Sequence, residues 1–64
     1  MKYLFKESLQ KLTDQRLKSY YRRIKNHHYT IKAQYDDGDD SVLEDLKVST
    51  VSYFDSKQEL MERA

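Results

Sequence analysis

Apolar side chains recur along the first half of this chain at spacings of three and four residues, which is the period of an α-helix. Thr13 precedes this pattern as an N-cap, and Asp14 follows in the first turn, where the helix dipole favours negative charge. The pattern predicts a helix over residues 14–34, with a weak point at residues 26–30, whose Asn, His, Tyr and Thr are poor helix formers. The predicted stripe consists of Leu17, Tyr21, Ile24, His28, Ile31 and Tyr35.

The second half of the chain repeats the helical spacing, and Ser41 with Glu44 three residues later fits a capping box. A second long helix of about 22 residues is expected there. An alternative stays open, because residues 47–54 are rich in Val, Thr, Ser and Tyr, and Ser56 with Glu59 offers a second capping box. That alternative is a short strand near 47–53 between two helices. The stripe of the long helix consists of Leu43, Leu46, Thr50, Phe54, Lys57 and Leu60.

A run of acids around one glycine separates the two periodic stretches. Gly38 adopts positive φ freely, and the flanking aspartates at 36, 37, 39 and 40 hydrogen-bond their own backbone, so the run predicts a turn. Two helices of similar length joined by a turn predict an all-α antiparallel hairpin over a single domain, residues 1–64. A short helical or frayed segment is expected over residues 3–11.

Charge divides the chain into two unlike halves. Residues 1–32 carry nine Lys or Arg and two acids, a net +7, whereas residues 33–64 carry three Lys or Arg and nine acids, a net −6. Such polarity is typical either of a nucleic-acid-binding half with an acidic tail or of two elements that neutralise each other. The second interpretation is preferred, because a compact domain folds its halves together.

Length and composition exclude several classes of protein. The 64 residues contain no cysteine, which removes disulfides and thiolate zinc sites. No apolar run approaches the roughly 20 residues that span a bilayer, so a cytoplasmic protein without membrane contact is expected. No Gly-rich phosphate loop or nucleophile motif occurs, and a hairpin of this size offers little room for a pocket. The sequence therefore predicts no enzymatic activity and no cofactor.

Histidine and aspartate clusters are weak candidates for metal binding. His27 and His28 are adjacent, and neighbouring side chains on a helix point about 100° apart, so they cannot easily share one ion. The acidic turn lacks calcium-loop spacing, because Ala33 and Tyr35 occupy two ligand positions of that pattern. No metal site is predicted.

Aromatic content points to protein contacts. Six tyrosines and two phenylalanines exceed what a two-helix core can bury, and Tyr is enriched at protein interfaces. A hairpin also leaves part of each stripe uncovered, which doubling into a four-helix bundle would cover. The predicted protein-binding residues are Tyr20, Tyr21, Ile24, Tyr53, Phe54 and Leu60.

Basic residues of the first long helix provide the competing hypothesis. Lys18, Arg22 and Lys25 share one face, with Arg23 and Arg16 flanking, and could contact phosphates of a nucleic acid or nucleotide. The preferred interpretation is that these charges are solvated or pair with acids of the second helix. The expected acidic partners are Glu44, Asp45, Asp55 and Glu59.

Residues 12–23 read LTDQRLKSYYRR, and residues 53–63 read YFDSKQELMER. Together they resemble small uncharacterised helical-hairpin proteins of large tailed bacteriophages, over about 25 of the 64 positions. The resemblance implies a protein made during infection in the host bacterial cytoplasm and implies no activity. The function expected from residues and resemblance together is a non-enzymatic phage accessory protein that binds and modulates a host protein and self-associates. A small nucleic-acid or nucleotide-binding protein is the alternative.

Overall fold

The computed structural model of the protein describes residues 2–64 and contains three α-helices: α1, Lys6–Gln10; α2, Asp14–Asp36; and α3, Leu43–Arg63. A short 3₁₀ turn, Asp40–Val42, leads into α3. Within the described residues there is no strand, so the all-α prediction is confirmed and the alternative strand near 47–53 is wrong. The molecule measures 37 × 17 × 17 Å.

The two long helices pack against each other in antiparallel orientation. Arg63 at the end of α3 contacts Asp14 at the start of α2, with 2.9 Å between the guanidinium Nη1 and the carboxylate Oδ1. His28, further along α2, contacts Ser49 in the first half of α3. The predicted hairpin is therefore confirmed. Among the described residues, no helix is both long enough and apolar enough to cross a membrane.

Helix α2 begins where the sequence predicts. The Thr13 hydroxyl accepts a hydrogen bond from the Arg16 amide at 3.3 Å, which makes Thr13 the N-cap. The weak segment 26–30 does not interrupt the helix. There the Thr30 hydroxyl donates to the carbonyl of Asn26 at 2.9 Å, a bond made within the helix that leaves the backbone ladder intact.

The predicted turn also forms, but the predicted capping boxes do not. Gly38 has φ +102°, and its amide bonds the carbonyl of Tyr35 as α2 ends. Asp39 accepts from the amide and hydroxyl of Ser41, so the Ser41 side chain is engaged before α3 begins. Val42 precedes α3 without a side-chain cap. Ser56 lies inside α3, where its hydroxyl donates to the carbonyl of Tyr53.

The core lies where α2, α3 and the N-terminal segment meet. The α2 stripe is largely confirmed, since Leu17, Ile24 and Ile31 are buried and its other members are half-buried. The α3 stripe is confirmed only in part, because four members are half-buried whereas Phe54 and Lys57 are exposed. The fully buried side of α3 is rotated about the helix axis from the predicted one. The side of α3 that faces the core is mainly hydroxylic and consists of Ser49, Ser52, Tyr53 and Ser56.

The N-terminal segment is fixed to the hairpin by polar contacts. The Leu4 amide donates to the Tyr20 hydroxyl at 2.8 Å, and the Ser52 hydroxyl donates to the Leu4 carbonyl at 2.6 Å. The Tyr20 and Ser52 hydroxyls also bond each other. Further along, the hydroxyl of Tyr3 lies 2.9 Å from Nε2 of His27. Backbone that would otherwise be unpaired is thereby satisfied at the junction of three segments.

Candidate functional site

The structure separates the six predicted protein-binding residues into buried and accessible groups. Tyr20, Ile24 and Tyr53 lie in the core, where they hold the hairpin together. Tyr21 and Leu60 pack at its edge and are half-buried. Phe54 is 57% exposed, so it is the member of the set that is most available to a partner.

Aromatic rings form a cluster along one side of the α2–α3 junction. The rings of Tyr21 and Tyr53 stack with centroids 5.6 Å apart, and Phe54 lies 5.6 Å from Tyr53 on the outer side. The ring of His28 stacks on that of Tyr53 with centroids 5.4 Å apart, and the ring of Tyr29 meets that of Tyr53 edge-on with centroids 6.2 Å apart. Tyr53 is therefore the centre of the cluster, with ring faces already occupied by Tyr21 and His28.

The neighbouring histidines have separate hydrogen-bond partners. Nδ1 of His28 lies 3.2 Å from the hydroxyl of Ser49, whereas His27 bonds Tyr3. Burial, with repulsion from Lys32 and His27, lowers the pKa of His28 below its ordinary value, which favours the neutral ring. Across residues 2–64, no three His or acidic side chains converge as ligands would.

All four cations of the predicted nucleic-acid face, Lys18, Arg22, Arg23 and Lys25, are exposed. Of the two options in the preferred interpretation, the structure agrees with solvation of these charges and, within residues 2–64, shows no pairing with acids of the second helix. Ion pairs in the described part of the chain join Lys47 to Glu44, and Arg63 to Asp14 and Glu59. In the ion pair between α2 and α3, the acid is Asp14 of α2, the mainly basic helix, and the base is Arg63 of α3, the mainly acidic helix.

Acids of α3 face α1 instead of α2. Asp55, Glu59 and Glu62 line a small groove with Lys6 of α1. The opposite side of the α2–α3 junction presents Leu60 of α3 to the basic residues of α2. These three acids therefore lie on a different side of the molecule from Lys18, Arg22 and Lys25. Two other acids lie beside α2 cations, since Asp14 shares a groove with Lys18 and Asp36 shares one with Lys32.

Five of the six exposed cations of α2 divide into two flanks, and the sixth, Lys32, lies further along the helix beside Asp36. Lys18, Arg22 and Lys25 line an open groove of about 330 Å³ with Tyr21 and Leu60, and are called here the α3 flank. Arg16 and Arg23 line a second groove, of about 550 Å³, against Leu4 and Leu12, and are called the N-terminal flank. Arg23 is therefore separated from the other three predicted residues.

Three exposed polar residues lie on the outer side of α2, next to the N-terminal flank, and two of them, Gln15 and Ser19, line its groove with Arg16 and Arg23. Gln15, Ser19 and Asn26 follow one another at spacings of four and seven residues, which places them on one line along α2. Arg22 lies next to this line, between Ser19 and Asn26. Sequence reasoning did not single out the three, because uncharged polar residues on a helix are ordinary; their alignment beside a cationic row is the signal that could have identified them.

No protein-family model, curated protein or solved structure significantly matches this chain.

Proposed function

We propose that this protein binds nucleic acid through the exposed surface of α2. One observation carries the proposal. Between residues 15 and 34, α2 contains six Lys or Arg and no acid, and among the described residues none of these cations forms an ion pair. A row of unneutralised cations on a rigid helix is the electrostatic requirement for contacting a phosphate backbone.

Folding alone does not account for this arrangement. Lys18 and Arg22 lie four residues apart on the same helix, a like-charge spacing that costs a few tenths of a kcal/mol. Arg22 and Lys25 add a second such contact, three residues apart. An arrangement that slightly destabilises the isolated helix, and whose cations form no ion pair among the described residues, supports a role in contacting an external anion.

Fluorescence anisotropy with labelled DNA and RNA of mixed sequence tests the proposal. Binding should weaken steeply with salt, because each phosphate contact releases condensed counterions. Converting Lys18, Arg22 and Lys25 together to Gln should weaken binding and reduce the slope of log affinity against log salt by about 2 to 3. The fold should be retained, since all three side chains are exposed.

The matched control converts Lys6, Lys47 and Lys57 to Gln. These residues are exposed and lie outside α2, so the change in net charge is the same while the proposed surface is intact. Absence of binding at about 50 mM salt would reject the proposal. An equal loss of affinity in the control variant would also reject the proposal, because it would show that binding depends on net charge and not on the surface of α2.

A second candidate function, binding to another protein, is favoured by apolar exposure on α3. Val51, Phe54 and Met61 are 52%, 57% and 68% exposed, and their spacing places them on one side of the helix. Such side chains suit a host-protein contact, the function expected from the phage resemblance, or the doubling of the hairpin into a four-helix bundle.

A tagged pull-down from nuclease-treated bacterial lysate tests the host-protein contact, and sedimentation tests self-association. Changing Phe54 and Met61 to Ser should abolish whichever contact exists while the fold is kept, because both side chains are exposed. A stoichiometric partner that is retained equally by wild type and variant would exclude this side of α3. A monomer at all concentrations would exclude the bundle.

A further inference from the structure

We infer that the nucleic acid is duplex DNA and that α2 binds in its major groove, with the two cationic flanks contacting opposite phosphate backbones. This inference rests on the proposed function and specifies its ligand. It adds a role for the polar line of Gln15, Ser19 and Asn26, which the proposal of phosphate binding alone does not use.

The shape of α2 supports its binding in a groove of the nucleic acid. α2 is one uninterrupted helix of 23 residues, and its outer side is exposed along its length. A helix with its side chains is about 10–12 Å across, and the major groove of B-form DNA is about 12 Å wide. The chain therefore presents a single projecting helix, supported from behind by α3 and the N-terminal segment, that matches the width of the groove.

The placement of charge supports contact with two backbones. Arg16 and Arg23 lie on the N-terminal flank, and Lys18 and Lys25 lie on the α3 flank. Each pair is separated by seven residues, about 10 Å along the helix axis. The major groove is bordered by a phosphate backbone on each side, so a helix that enters it needs cations on both flanks. By contrast, a ligand that lay along only one of the two surface grooves of the protein would need cations on only one flank.

Side chains on the polar line, and Arg22 of the α3 flank beside it, suit base edges. Amide side chains such as Gln15 and Asn26 can pair with adenine, and a guanidinium such as that of Arg22 can pair with guanine in the major groove. Within the described residues, these side chains make no hydrogen bond to the protein, so their donors and acceptors are available. The line from Gln15 to Asn26 spans about 16 Å, or about five base pairs.

Single-stranded nucleic acid is less well matched. Binding of single strands relies on aromatic faces on which bases stack. Tyr21 lies beside the cations of the α3 flank, but it is half-buried and stacked on Tyr53. Tyr29 is half-exposed and packs edge-on to other rings, so the α2 surface lacks a row of free ring faces. Duplex RNA is also disfavoured, because its major groove is too narrow for side chains to read.

Anisotropy titrations with four matched probes test the inference: duplex DNA of mixed sequence, its separated single strand, duplex RNA of the same sequence, and duplex DNA containing 7-deazapurines. A length of about 20 base pairs exceeds the 37 Å of the protein. Duplex DNA should bind at least about tenfold tighter than single strand or duplex RNA, and removal of the purine N7 acceptors from the major groove should weaken binding.

Two double variants separate the flanks. Arg16 and Arg23 changed to Gln, and Lys18 and Lys25 changed to Gln, should each reduce the salt slope for duplex DNA by about 2. A slope unchanged by one of the two would overturn the two-backbone contact. Circular dichroism checks that both variants keep their helices, which is expected because all four residues are exposed.

The outcomes distinguish this inference from the proposed function. Equal or tighter binding of single strand or duplex RNA would overturn the duplex inference while nucleic-acid binding stands. Displacement of the protein by a minor-groove ligand, with no effect of the 7-deazapurines, would overturn the major-groove placement. Failure to bind all four probes would reject the proposed function together with the inference and would leave the protein contact of α3 as the remaining candidate.

Discussion

The hydroxyl of one residue, Tyr20, holds the N-terminal segment on the hairpin. It accepts from the Leu4 amide and bonds the Ser52 hydroxyl in the core. Tyr20→Phe should lower the free energy of unfolding by about 1–2 kcal/mol, because the Leu4 amide and Ser52 lose a buried partner. Urea denaturation measures this. Tyr29→Phe is the control, since Tyr29 is half-exposed, and equal losses in the two variants would contradict the assignment.

His28 makes stability depend on pH. Burial first, and then the charges of Lys32 and His27, lower the pKa of His28 in the folded protein. The unfolded chain therefore binds the proton more readily, with a pKa of about 6.5. Stability should be complete above that value and should fall as the pH drops through it towards the lower folded pKa.

Urea denaturation between about pH 7.5 and pH 5 checks this dependence, which follows from the pKa difference between the two states. His28→Gln should lose much of the dependence, because Gln does not titrate and can still bond Ser49. A pH dependence identical in both proteins would show that His28 does not cause it.

At the scale of elements, the turn between α2 and α3 depends on one backbone conformation. Gly38 has φ +102°, a value that L residues rarely adopt, and a Cβ added there would meet no atom within 4 Å. Gly38→Ala should therefore cost about 1 kcal/mol from backbone conformation alone. Thermal unfolding measures the change. Asp37→Ala, at a position with φ −79°, should not be destabilising, and equal losses would contradict the argument.

The start of α2 and the turn that follows it could be predicted from the sequence because they follow from local chemistry, whereas the predicted cap of α3 does not form. Thr13 caps α2 through its own side chain, and Gly38 ends the helix through its freedom at positive φ. The side of α3 that packs could not be predicted in this way. Ser49, Ser52 and Ser56 are fully buried, but they are not apolar and add nothing to a hydrophobic stripe. Ser49 and Ser52 have partners from other segments, His28 and the Leu4 carbonyl, which only the folded chain supplies.

The candidate site was predictable in part for the same reason. Helical spacing groups Lys18, Arg22 and Lys25 on one side of α2, and the structure places them around one groove. Their expected neutralisation by α3 does not occur, because the rotation of α3 turns Asp55 and Glu59 towards α1. Spacing along one helix predicts which residues share a side of that helix. Predicting which residues pair between two helices also requires knowing how each helix is rotated about its own axis.

At the scale of the whole molecule, Arg63 joins the three helices. Its guanidinium donates to the carbonyls of Leu9, Gln10 and Leu12 around the end of α1, and to carboxylates of Asp14 and Glu59. Desolvation opposes its charge, but the hydrogen bonds to the two carboxylates outweigh it, so the pKa of Arg63 is raised. A cation is also favoured near the carboxyl end of a helix such as α1.

Removing this guanidinium should loosen α1 from the hairpin. Arg63→Ala should lower the melting temperature by several degrees and speed hydrogen exchange at the amides of Leu9 and Leu12. Arg63→Lys should have a melting temperature between those of the wild type and Arg63→Ala, because one ammonium lacks the planar set of five donors. Arg16→Ala removes an exposed guanidinium outside these contacts and is the control. If Arg63→Ala leaves exchange at Leu9 and Leu12 unchanged, polar contacts of Tyr20 and Ser52 with Leu4 are sufficient to hold the N-terminal segment, and Arg63 joins only α2 to α3.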